Sequence, residues 1–201
     1  KKNDKRYWKN HEKLYLDLIK SSPESLIVLP ESIIPKLIEN TSFYNELKFI
    51  TKKDNKSILF GTHLKKQSNF FNGAILLSNE IPHYYYKEQL MPFGEYLPFR
   101  FIMAPLIPSK LNFNDFTKGK NNLLTVFNDI SISQKICLEG IYSFISITPV
   151  PDIVIIMANN GWFNESSASK KFIQFIQANS AEIGRPSIIS SNYGQSAIIN
   201  N

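Results

Sequence analysis

The sequence has one cysteine, Cys137, among 201 residues, so no disulfide can form within the chain and the fold must rest on its apolar core. Its three histidines, His11, His63 and His83, show no ligand spacing with Cys137, which argues against a metal enzyme. No glycine-rich loop of recognised spacing is present to cradle a phosphate. No apolar run reaches the ~18 residues needed to span a bilayer. Internal repeats, low-complexity tracts and recognisable linkers are also missing. One domain over residues 1–201 is therefore expected.

What is present suits a globular chain. Hydrophobic residues make up 43% and charged residues 20%, with 15 Phe, 9 Tyr and 2 Trp to fill a core. The net charge is +6, of which +4 falls on residues 1–13. A nucleic-acid binder would spread its basic residues along a working face, so no nucleic-acid partner is expected. A solvated terminal helix explains the cluster, and proximity to anionic lipid headgroups is the sharper alternative.

Apolar spacing predicts a helix around residues 8–19, ended by Ser21-Ser22-Pro23. The run Leu26-Ile27-Val28-Leu29 predicts a buried strand that Pro30 ends. A helical stretch is expected from Pro35 to about Lys52, then strands at 57–62 and 70–77 separated by a polar, Lys-rich turn, and another at 83–86. Residues 91–111 carry four prolines and read as an irregular loop. Residues 123–127 and 130–137, around Asn128-Asp129, predict a hairpin. A buried strand at 152–158, an amphipathic helix at 169–183, and strands at 187–191 and 195–199 complete an α/β alternation.

Three segments put a charged or reactive residue directly after an apolar strand. These are Leu29-Pro30-Glu31-Ser32, Tyr86-Lys87-Glu88-Gln89-Leu90 and Lys135-Ile136-Cys137-Leu138-Glu139. Taken singly they are unremarkable: a lone Cys is ordinarily a small hydrophobe, and a Lys after a Tyr-rich strand ordinarily snorkels to solvent. Open α/β sheets, however, place ligands at the carboxyl ends of their strands, where residues far apart in sequence converge.

Glu31, Lys87 and Cys137, in that order at element ends, resemble the triad of the nitrilase superfamily. The chain resembles one branch more closely, the apolipoprotein N-acyltransferases. The specific block is Met91-Pro92-Phe93-Gly94-Glu95-Tyr96-Leu97-Pro98, since general amidases of the superfamily keep the Lys but not this sequel. Leu29-Pro30-Glu31-Ser32, Phe71-Asn72-Gly73-Ala74, Asp115-Phe116-Thr117-Lys118-Gly119 and Ile136-Cys137-Leu138-Glu139 match as well. So do Asn159-Asn160-Gly161-Trp162-Phe163, Gly184-Arg185-Pro186 and Ser191-Asn192-Tyr193-Gly194, all in family order.

The resemblance implies an α/β fold, the nitrilase-like four-layer α-β-β-α sandwich, incomplete at both ends. It implies Cys137 as nucleophile, Glu31 as general base and Lys87 as the cation that stabilises the tetrahedral intermediate. Glu95 and Glu139 fall on two further acidic positions, Trp162 on a residue near the pocket, and Trp8 on another aromatic position. The backbone N–H of Leu138, next to the nucleophile, would be the second oxyanion donor. No cofactor or metal is implied. The implied reaction moves a fatty acyl chain from a phospholipid, through a Cys137 thioester, to the N-terminal amine of a diacylglyceryl-cysteine apolipoprotein. Its implied setting is the extracytoplasmic, periplasmic side of the bacterial inner membrane.

Three positions depart from the family pattern and bear on substrate fit. Leu138 stands where an aromatic is usual, Leu29 where a Trp precedes Pro-Glu, and Phe172 where a His is common. The sequence starts inside a basic helix and stops just after a strand. It reads as an excerpt, with a strand expected before residue 1, more strands after Asn201, and transmembrane helices elsewhere. Two rivals share the residues: a soluble nitrilase-type amidase using water as acceptor, and a catalytically silent binding domain. The segment from Leu97 to Pro108 carries one charge in twelve residues, and suits either core packing or an apolar arm that meets acyl chains.

Overall fold

A computed structural model describes residues 5–34, 36–103, 115–120, 123–162 and 167–200, with the side chains of residues 5–8, 103 and 162 excepted. The helices are α1 (Lys5–Ser21), α2 (Ser42–Lys53), the single turn α3 (Arg100–Met103) and α4 (Ala168–Ile183). The strands are β1 (Leu26–Val28), β2 (Ser57–Lys66), β3 (Asn69–Ser78), β4 (Ile81–Tyr86), β5 (Thr125–Phe127), β6 (Ile130–Ile136), β7 (Ile153–Asn159), β8 (Ser187–Asn192) and β9 (Ala197–Ile199).

The strands form two sheets, ordered β1-β2-β3-β4 and β5-β6-β7-β8-β9. Period-two alternation decides what each strand faces. In β2, Ile58 and Phe60 join Tyr15 and Ile19 of α1 and Leu47 and Ile50 of α2 in one core. The intervening Leu59 turns the other way and meets Ile132, Ile136, Ile155 and Met157 of the second sheet. In β7, Val154, Ile156 and Ala158 pack on Phe172 and Ile176 of α4. Three cores between four layers make the expected α-β-β-α sandwich.

Local chemistry sets the boundaries. Asn128 and Asp129 both adopt positive φ (47° and 64°), the backbone of a type I′ turn, and join β5 to β6 as the sequence predicts. The helix expected from 35 to 52 is broken. Thr41 is extended and its Oγ1 accepts from the Tyr44 N–H at 3.2 Å, so α2 starts there behind a separate 3-10 turn, Ile38–Asn40. The β2–β3 hairpin runs further than expected, pairing Lys66 with Asn69. Lys65 and Lys66 are not turn residues; their ammonium groups lie over the rings of Phe70 and Tyr86, at 5.2 and 5.9 Å. Gly184, in the left-handed region at φ 62°, ends α4 ahead of Pro186.

Strand direction positions the site. β6, β7 and β8 are mutually parallel, so Cys137, Asn159 and Asn192 stand at one edge of the second sheet. In the first sheet β1 is parallel to β2, and β4 regains that direction after two antiparallel pairings. Glu31 and Lys87 thus follow strands that end at the same edge, where Asn72 of β3 stands beside Lys87. The close packing there admits no side chain at Gly61, since a Cβ would lie 2.6 Å from Glu31 Cα and 3.1 Å from the Pro30 carbonyl. Gly61→Ala should cost about 1–3 kcal/mol through forced backbone shifts, read as a lower denaturation midpoint with an unchanged m-value.

Candidate active site

Cys137 opens a 3-10 turn, Cys137–Ile141, directly after β6, and its φ is 49°. A non-glycine residue at positive φ is held there by its surroundings, and here it lifts the thiol out of the sheet at the strand end. Glu31 follows β1 and is buried; Lys87 follows β4 and is 1% exposed. The Lys87 ammonium contacts both oxygens of Glu95, at 2.9 Å to Oε1 and 2.8 Å to Oε2. Glu95 Oε2 also accepts from the Met91 N–H at 2.7 Å, which folds residues 91–95 back over the lysine.

The backbone around these groups is tied down. Lys87 N–H donates to the Asn72 carbonyl and its own carbonyl accepts from Gly119 N–H, at 2.9 and 2.8 Å. Phe116 N–H donates to the Glu95 carbonyl at 2.8 Å, so residues 115–119 brace both halves of the ion pair. Across the sheets, Asn192 Nδ2 donates to the Glu31 carbonyl at 2.9 Å and Ser190 Oγ to the Val28 carbonyl at 3.1 Å.

Glu139 lies behind the thiol, buried, with four donors. Oε2 accepts from Tyr85 Oη–H (2.9 Å) and Ile136 N–H (2.8 Å). Oε1 accepts from the N–H groups of Glu88 (2.7 Å) and Gln89 (3.0 Å). One carboxylate therefore holds the turn that carries Cys137 against the segment that carries Lys87.

Electrostatics follow from burial. Desolvation pushes the Cys137 thiol up to about 12, with the Glu31 charge adding to it, while Lys87 and a backbone hydrogen bond from Asn159 pull it down. Burial and the neighbouring carboxylate thus favour the neutral thiol over the thiolate. Glu31 is raised above its ordinary value, first by burial and then by the Glu95 charge, against Lys87 and Asn72. Burial pulls Lys87 down, yet the charges of Glu31 and Glu95, with Cys137, outweigh it and hold the ammonium above its usual value. The group is a neutral thiol, a buried carboxyl and a fixed cation, an arrangement able to transfer a proton and stabilise an oxyanion.

The structure thus brings together Glu31, Lys87, Glu95 and Cys137, with Glu139 behind them and Leu138 next in the turn. Trp162 ends the 3-10 turn Asn160–Trp162 after β7, and Trp8 lies in α1; the side chains of both fall outside the described residues. Leu97 is buried in the core, whereas Phe99, Phe101 and Ile102 are exposed, at 72%, 82% and 55%, so the described part of the apolar segment leaves the core after its first residue. Residues 104–108 of it lie outside the described residues. Asn72, Asn192 and Tyr85 make site contacts that the sequence did not assign. Asn72 had a legible signal, as an amide inside an otherwise apolar strand that must find partners when buried. A cavity of about 600 Å³ lies elsewhere, between α4 and β9, and shares no residue with this cluster. No group of residues among those described could hold a metal ion.

Glu139→Gln tests the brace behind the thiol. An amide has one acceptor oxygen for donors that now meet two, which leaves the Ile136 N–H without a partner. The substitution should cost about 1–3 kcal/mol, measured by chemical denaturation.

No family model matches the chain. Its sequence is 28% identical over 202 residues to an apolipoprotein N-acyltransferase of Vibrio parahaemolyticus, covering 92% of this chain and 40% of that protein. The apolipoprotein N-acyltransferase of Haemophilus ducreyi is also 28% identical, over 98% of this chain and 42% of its own length. The chain thus spans about two-fifths of the length of the curated relatives it matches. Among solved structures, a CN-hydrolase superfamily protein of Xanthomonas campestris with an arsenic adduct in its active site superposes with a TM-score of 0.68 at 15% identity. That match covers 96% of this chain and 77% of the other. A mutant of the amidase from Nesterenkonia, carrying acrylamide added at its active-site cysteine, superposes with a TM-score of 0.65 at 12% identity, covering 92% and 72%. The chain has the fold of the carbon–nitrogen hydrolase (nitrilase) superfamily, and over nearly its whole length its sequence is similar to apolipoprotein N-acyltransferases.

Proposed function

We propose that this chain is the catalytic part of an acyltransferase that moves a fatty acyl chain from a phospholipid to the N-terminal amine of a diacylglyceryl-cysteine apolipoprotein. The observation that carries the reading is the cluster of buried Glu31 and Lys87 with half-buried Cys137, in a chain whose segment after Glu95 exposes Phe99, Phe101 and Ile102. Sequence similarity to apolipoprotein N-acyltransferases over most of the chain supports it.

In the first step Glu31 takes the Sγ proton as sulfur attacks the ester carbonyl of the phospholipid. The C–S bond forms and the carbonyl electron pair moves to oxygen, where Lys87 Nζ and the Leu138 N–H stabilise it. The C–O bond then breaks, and the lysophospholipid leaves with the proton that Glu31 held. In the second step the apolipoprotein amine attacks the thioester, Glu31 takes its proton, and the C–S bond breaks to give the amide. The returning proton restores the thiol. A thioester suits this order because it reacts readily with amines and survives where water is excluded.

The setting that fits is the extracytoplasmic face of a bacterial inner membrane, where phospholipid and lipoprotein meet. No helix among the described residues is long and apolar enough to cross a membrane. The exposed apolar side chains of Phe99, Phe101 and Ile102 are the part of this chain suited to meet lipid.

Incubation of the protein with phospholipid vesicles should add one acyl mass to the chain. The adduct should be released by hydroxylamine, absent in Cys137→Ser, and formed at least ~10²-fold more slowly in Lys87→Ala. Failure to acylate, with turnover of small amides by Cys137, would favour the amidase; no chemistry at Cys137 would favour the silent domain. Replacing Phe101 and Ile102 by Ser should slow acylation from vesicles while leaving the melting temperature unchanged, because neither side chain is buried in the core. Equal losses of both would count against the lipid-facing role.

A further inference from the structure

Asn72 is an amide buried between two carboxylates, and the acyl-transfer steps above do not use it. It lies on β3 and is 3% exposed. Its Nδ2 donates to Glu31 Oε1 at 2.8 Å and to Glu95 Oε1, so both amide hydrogens go to carboxylates. Its backbone carbonyl accepts from the Lys87 N–H at 2.9 Å. Oδ1 is buried with no hydrogen-bond partner. That imbalance fixes the orientation of the group: turned by half a rotation, Oδ1 would face two carboxylate oxygens and both would lose their donor.

We infer that Asn72 is a positioning residue that locks Glu31, the general base of the function proposed above, to Glu95, the counter-ion of Lys87. The proton acceptor and the oxyanion-stabilising cation then keep one spacing through both halves of the reaction. Without the amide, two carboxylates would share a buried site near a single ammonium, and Glu31 Oε1 would lose its side-chain donor. With it, Oε1 is engaged by the amide, and a backbone hydrogen bond from Asn159 also bears on the carboxylate. The same contact favours the ionised form of Glu31, opposing burial and the Glu95 charge.

The charged and titratable groups that bear on Glu31 are Lys87, Glu95 and Cys137, while His63 of β2 faces Glu95. The experiment is the rate of Cys137 alkylation by iodoacetamide as a function of pH, read by intact mass. The wild type should show an acid limb set by Glu31, and Glu31→Gln should abolish it. Asn72→Ala should move that limb up by about one pH unit and slow alkylation at neutral pH by about tenfold. Asn72→Gln, which keeps the amide, should recover part of the rate. Asn72→Asp, of the same size but adding a third carboxylate, should be slower than Asn72→Ala.

An Asn72→Ala limb in the wild-type position overturns the inference. So does uniform slowing at every pH that tracks a loss of thermal stability, which would make Asn72 structural only. If Glu31→Gln keeps the wild-type profile, the assignment of Glu31 as base fails, and this inference fails with it.

Discussion

A lysine ammonium taken out of water must find counter-charge and acceptors or give up its proton, because its ionic form is heavily penalised by burial. Lys87 is 1% exposed and keeps its charge because Glu95 meets it with both oxygens and Glu31 lies near. Much of the site's geometry follows from that requirement. Glu95 must return over the lysine, which the Met91 N–H and the Phe116 N–H hold it to do. The Lys87 backbone must stay still, which Asn72 and Gly119 secure from either side. Gly119 can have no side chain there, since a Cβ would lie 2.0 Å from the Tyr86 carbonyl.

The thiol depends on the same cation through the opposite effect. Burial and Glu31 keep Cys137 protonated, and Lys87 is the charge that opposes them. A thiol held neutral by burial gains its charge only when a neighbouring group takes its proton. Glu139 braces this pair from behind. Its four acceptor contacts bind the end of β6 to the segment after β4, so the two sheets cannot separate without orphaning a buried carboxylate.

Much of the fold was legible because its signals are local. The Asn128-Asp129 turn, the apolar strand before Pro30 and the amphipathic face of α4 each declare themselves within a few residues. The misreadings came where a distant or stereochemical partner decides. Lys65 and Lys66 looked like turn residues until the rings of Phe70 and Tyr86 gave them a place in the strands. The helix expected from Pro35 breaks because the Thr41 hydroxyl satisfies a backbone donor at the start of α2. Trp8 and Trp162 were named from resemblance, and their side chains fall outside the described residues.

By itself the sequence singled out Cys137, Glu31 and Lys87, each directly after a strand, and it determined the layer that each apolar run can join, through the period-two alternation. The tertiary structure decided which of those strand ends meet. β1 and β4 belong to one sheet and β6 to the other, and only packing across the middle core sets their relative position. It alone placed Asn72 between two carboxylates that lie 41 and 23 positions away in the chain. Local sequence fixes backbone conformation over a few residues, whereas burying Lys87 requires counter-charges drawn from segments that meet only once the sheets have closed.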